Sequence, residues 1–161
     1  MCEYCGCQQI AAINLLTREH DALVGAMSMA RVQLAAGNLG ELATVCRGML
    51  DILGPHTVVE EEGLFPELAD DFPDHVQALR TEHTEIERVL AECRHRVPDD
   101  PTWPERLTAT FFQLREHILK EQDGVFPAAL AALDAEQWER VEDVRGRAGD
   151  PLTQSALSLK R

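Results

Sequence analysis

Residues 56–66 read HTVVEEEGLFP, and residues 117–127 read HILKEQDGVFP. In both, a histidine is followed four positions on by a glutamate, then by a glycine, a leucine or valine, a phenylalanine and a proline. The repeated positions are His56, Glu60, Gly63, Phe65 and Pro66, answered by His117, Glu121, Gly124, Phe126 and Pro127. Upstream, Leu16-Thr17-Arg18-Glu19-His20 resembles Leu79-Arg80-Thr81-Glu82-His83. The separations nearly agree, since 56−20 is 36 and 117−83 is 34. The chain therefore reads as two tandem copies of a histidine–histidine–glutamate unit.

Around this repeat the apolar periodicity is helical. Ile10, Ile13, Leu16, His20, Leu23, Val24, Met27, Val32 and Leu34 mark a first helix that Gly37-Asn38 stops. A second helix is expected over 39–62, turning Leu42, Val45, Cys46, Met49, Ile52 and Leu53 inward. Pro55 removes an amide donor and crowds the carbonyl of Asp51, so a kink is expected before His56. Residues 63–73 read as a turn region. A third helix follows over 73–97, with Pro73 in its first turn. Residues 98–104 hold three prolines and form a loop. A fourth helix spans 104–122, and a shorter one spans 134–147 with Asp134 as N-cap. This is an all-α chain, an antiparallel four-helix bundle with a short C-terminal helix.

Counting along these helices sets the depth of each histidine. His20 lies about 16 residues before its helix ends and His56 about 15 after the next begins, roughly 24 Å out and 23 Å back. His83 and His117 are matched in the same way, about 13 residues each from the connecting loop. All four imidazoles can meet in one cross-section, with Glu60 and Glu121 one turn further along the same faces. Four imidazoles and two carboxylates inside an apolar bundle are costly unless a cation compensates them. A pair of metal ions does so, each taking two histidines with the glutamates bridging. Mixed imidazole and carboxylate donors suit iron or manganese, and zinc stays open.

Composition narrows the partners. The chain has 161 residues, 45% of them apolar, enough for one self-sufficient core. A net charge of −13 excludes a nucleic-acid or anionic-membrane partner, and no apolar run is long enough to span a bilayer. The opening residues lack the basic and apolar regions of an export signal, and five cysteines are an odd number, so a reducing cytoplasm is expected. Cys2, Cys5 and Cys7 crowd ahead of the first helix. They suit zinc or copper(I) one ligand short, a redox pair, or an inert reduced tail.

The order His20, His56-x-x-x-Glu60, His83, His117-x-x-x-Glu121, with its Phe-Pro turns, resembles the hemerythrin family, or HHE cation-binding domain, over about residues 8–147. Residues 1–7 then form a Cys-rich segment and 148–161 a tail. The resemblance implies an up-down-up-down bundle with a non-haem centre of two iron ions, bridged by Glu60, Glu121 and an oxo or hydroxo group. Oxygen-carrying hemerythrins have a fifth histidine one turn after the third-helix histidine; here that position is Glu87. Glu87 is thus either a third carboxylate ligand or a residue of the bundle edge paired with an arginine. The matching position on the first helix, Val24, cannot ligate.

The four-histidine, two-glutamate pattern is closer to hemerythrin-like proteins linked to peroxide or nitric oxide chemistry and iron–sulfur cluster repair. Three classes follow from it: a di-iron oxidoreductase consuming hydrogen peroxide or nitric oxide, a module storing or sensing O₂, NO or iron, and a bundle that uses metal only to hold its fold. The partner is a small diatomic or peroxide ligand, and the chain is expected to be a monomer or weak homodimer. Phe65 and Phe126 are expected as walls of the centre, with the cysteine segment packed near the same end. His75 and His95 are expected in solvent, and Cys46 and Cys93 as core thiols. Trp138 anchors the last helix and Trp103 the proline-rich loop.

Overall fold

The computed structural model describes residues 10–153, all-helical with no strand among them. Four long helices carry the site: α1 (Ala11–Ala35), α2 (Leu39–Val58), α4 (Pro73–Ala91) and α5 (Trp103–Lys120). α1 packs on α2, α2 on α4, α4 on α5, and α5 returns to α1, so the four close into a ring. Gly37, just past the end of α1, sits at φ +72°, a left-handed position that favours glycine. α7 (Ala135–Ala148) starts at the expected Asp134, whose carboxylate accepts from the Gln137 amide in a capping box.

Two apolar clusters fill the ring. One gathers Leu23, Met27, Leu42, Met49, Leu53, Ile86, Trp103, Phe111 and Leu114. The other gathers Ile13, Leu16, Val59, Phe65, Leu79, Phe126 and Val141. His20, His56 and His83 each stand between a residue of one cluster and a residue of the other, so the polar layer separates two dry cores. Each fully buried aliphatic or aromatic side chain stabilises by about 1.5–3 kcal/mol, and the fold has ample apolar cover on both sides of that layer. Val24 and Val32 are exposed, so the inward stripe of α1 is narrower than the apolar pattern suggests.

The helix ends depart from the sequence reading in an informative way. α2 runs through Pro55 to Val58, and residues 63–73 are not simply a turn. A π-helical segment, π1 (Val59–Leu64), leads into a short α3 (Phe65–Leu68). The second copy repeats this with π2 (Glu121–Val125) and α6 (Phe126–Ala132). In each copy the proline of the Phe-Pro pair leaves the carbonyl four residues back, that of Glu62 or Asp123, without its α-helical donor. Just before it the Phe65 amide donates to the Glu60 carbonyl, and the Phe126 amide to that of Glu121, five residues back in place of four. α4 stops at Ala91, six residues short of the expected end, and residues 92–96 form turns and bends instead.

α7 covers one copy only. It packs chiefly on π1, where a Cβ on Gly63 would stand 3.4 Å from Val144 Cβ and 3.5 Å from Val141 Cα. A Cβ on Gly124 would meet nothing within 4 Å. Glu142 of α7 also accepts from the Ala12 amide at 2.7 Å, satisfying one of the free donors at the start of α1.

Candidate metal centre

The π segments place Glu60 and Glu121 at the middle of the ring, and four helices deliver the imidazoles. His20, His56, His83, His117, Glu60 and Glu121 are all buried, none more than 3% exposed. Two groups of donor atoms form, His20–His56–Glu60–Glu121 and His83–His117–Glu60–Glu121. Within each, one atom per residue lies within 4.8 Å of the others. Each carboxylate spans both groups. Glu60 sets Oε1 3.3 Å from His56 Nε2 and Oε2 3.1 Å from His83 Nε2. Glu121 sets Oε2 3.1 Å from His20 Nε2 and Oε1 3.0 Å from His117 Nε2.

These facing atoms are not joined as hydrogen bonds. Both oxygens of Glu60, both of Glu121, and the Nε2 atoms of His20, His83 and His117 are buried without a hydrogen-bond partner. Unsatisfied buried polar atoms are rare in folded proteins because each is costly. Seven of them converging on one point is the arrangement a cation would satisfy. Charge balance points the same way. Burial alone would lower the pKa of His56, yet Glu60, Glu19 and Glu121 outweigh it and raise it to about 10. His83 is likewise lifted to about 10 against burial, by Glu60, Glu61 and Glu121. Burial works to raise the Glu60 pKa, but His56 and His83 bring it well below the ordinary carboxylate value. Without metal, the pocket demands protons in a cation's place.

Behind three of the imidazoles stand carboxylates that sequence reasoning missed. His56 Nδ1 donates to Glu19 at 2.8 Å, His83 Nδ1 to Glu61 at 2.8 Å, and His117 Nδ1 to Glu82 at 2.7 Å. A carboxylate on Nδ1 fixes the tautomer and turns the Nε2 lone pair inward, as metal-binding histidines require. Glu19 is fully buried and is held in turn by Arg145 of α7, whose guanidinium nitrogens lie 2.6 and 3.1 Å from its oxygens. Phe126 stacks on His20 and Phe65 on His83, with ring centroids 5.5 and 5.8 Å apart, as the expectation of aromatic walls required.

The remaining candidates fall elsewhere. Glu87 stands outside both donor groups, half-buried, and its carboxylate accepts from the Thr57 hydroxyl at 2.8 Å. Val24 faces solvent at 44% exposure. His75 and His95 are exposed, and Cys46 and Cys93 are buried free thiols. Trp103 is fully buried and Trp138 half-buried against the second apolar cluster. Cys2, Cys5, Cys7 and Tyr4 lie outside the described residues.

The profile of the hemerythrin HHE cation-binding domain matches residues 11–129. The chain belongs to the hemerythrin HHE family. No curated protein and no solved structure matches it. The matched span of this hemerythrin-like chain holds all six converging donors and the three carboxylates behind them, while α7 and Arg145 lie beyond it. Its buried imidazole and carboxylate clusters suit a metal ion such as iron.

Proposed function

We propose that this hemerythrin-like protein is a non-haem di-iron protein that reacts with hydrogen peroxide or nitric oxide. We read the ring of long helices as an up-down-up-down bundle, since three residues join α1 to α2. His20 and His56 would hold one ion and His83 and His117 the other, with Glu60 and Glu121 bridging. The observation that carries this is the set of seven orphaned donor atoms facing one another in a buried layer. An iron pair there would supply reversible one- and two-electron chemistry.

The protein's own part is positional. Glu19, Glu61 and Glu82 hold their imidazoles in one tautomer, and Phe65 and Phe126 wall off the layer from bulk water. Burial of all six donors restricts access to small ligands, which favours peroxide or a diatomic gas over larger substrates. With two imidazoles and two carboxylate oxygens per ion, protein donors leave coordination positions open. Reactivity would rest on the four histidines and two glutamates.

A storage or sensing module for O₂, NO or iron is the alternative. No described helix is long and apolar enough to cross a membrane, and a cytoplasmic monomer or weak homodimer is our reading of its setting. Peroxide consumption by the iron-loaded chain, compared with His117→Ala, separates the two. Turnover lost in the variant supports the enzyme; a stable reversible O₂ adduct without turnover supports the module.

A further inference from the structure

The two repeats match in the carboxylates behind their histidines until one position. Glu19 precedes His20 in sequence and accepts from His56 Nδ1; Glu82 precedes His83 and accepts from His117 Nδ1. The acid beside the first histidine of each copy thus backs the second. Glu61, one residue after Glu60, accepts from His83 Nδ1. The corresponding residue after Glu121 is Gln122, and the symmetry breaks there. His20 is 1% exposed, yet neither of its ring nitrogens has a hydrogen-bond partner among the described residues. It is the one imidazole of the four with no carboxylate behind it, oriented by its stack on Phe126.

The inequality is reinforced at the other backing groups. Glu19, which backs His56, gives both oxygens to the Arg145 guanidinium in a fully dry setting. That pairing draws charge away from the His56 contact. Glu82 is shared with Lys120, but that lysine is 56% exposed and solvent screens it. Arg80 stands 3.5 Å from Glu61 on the partly exposed side. One half of the centre therefore has two well-backed imidazoles. The other half has one, weakened, beside a bare ring.

We infer that the two metal positions are unequal and fill in order, the His83–His117 position tightly and first, the His20–His56 position weakly and second, with the Glu61/Gln122 difference setting the gap. The inference rests on the metal-binding reading above. Glu61 and Gln122 are positioning residues. Glu61 acts through His83, and a glutamate at Gln122 would do the same for His20.

Anaerobic titration of the metal-free full-length chain with Co(II), followed by its visible absorption, tests this. Loss of a hydrogen-bond partner behind a metal ligand typically weakens binding by about 10–100-fold, so two steps separated by that factor are expected. Glu61→Gln should weaken the first step by about tenfold or more and merge it with the second. Gln122→Glu should tighten the second and narrow the gap from the other side. Far-UV circular dichroism of the metal-free variants, matching the helix content of the parent, separates these shifts from a general loss of structure. Two ions of equal affinity in the parent, or a gap that neither substitution alters, would overturn the inference while leaving the metal centre standing. No bound ion at all would overturn the metal reading itself.

Discussion

Arg145 ties the C-terminal helix to the centre through one carboxylate. It is 5% exposed and its partner Glu19 is fully buried, so neither charge can turn to water when the other is removed. Arg145→Met leaves Glu19 with His56 alone and should destabilise the protein by about 3–5 kcal/mol, the usual cost of stripping one member from a buried pair. Adding Glu19→Gln should restore a large part of that loss. Urea midpoints of the two variants check both statements; a single variant as stable as the parent would contradict the role given to this pair. At this scale the sequence showed the six donors, because a repeated spacing singles them out from chance histidines. It hid the carboxylates behind them. Glu19 and Glu82 sit beside their histidines like ordinary surface acids, and Arg145 meets Glu19 across 126 positions of chain. The contact of Glu87 with Thr57 was equally hidden, since the two lie on different helices.

At the scale of elements, the π segments set the glutamates in place and their glycines are not equivalent. Gly63 lies under α7 with van der Waals contact already reached at a Cβ, whereas Gly124 has open space. Gly63→Leu should cost about 1–3 kcal/mol by overpacking Val141 and Val144. Gly124→Ala should be neutral or stabilise by about 0.4–1 kcal/mol, since alanine lowers the entropy of the unfolded chain. Thermal melts of the two variants, run side by side, read the difference; equal losses would mean that α7 does not press on π1. Helix existence was legible from apolar period and punctuation, down to Pro73 and the capping Asp134. The π turns were not. A proline in a helical pattern signals an ending as readily as a widened turn, and the choice is made by tertiary packing of Phe65 and Phe126 on the histidines.

For the whole molecule, metal and protons compete for the same layer. His56 and His83 have folded values of about 10 against an ordinary 6.5. In the metal-free protein their protonated forms contribute stability that is fully present below pH 6.5 and is lost as pH rises through about 10. The melting temperature of the metal-free protein should therefore fall between pH 7 and 10. Metal affinity should rise over the same window, because bound metal displaces those protons. Scanning calorimetry with and without metal should show the gap between the two melting temperatures widening with pH; a gap that narrows would contradict the competition. Removing metal at neutral pH should lower the melting temperature without unfolding the chain, since two apolar clusters flank the polar layer.

The claim beneath all of this is that four imidazoles and two carboxylates enclose a metal pair, and counting bound iron tests it most directly. After anaerobic reconstitution with Fe(II) and removal of the excess, the account predicts close to two irons per parent chain and a clear loss in a His20→Ala, His83→Ala double variant. A parent chain that retains no iron, or a double variant that retains as much as the parent, would contradict it.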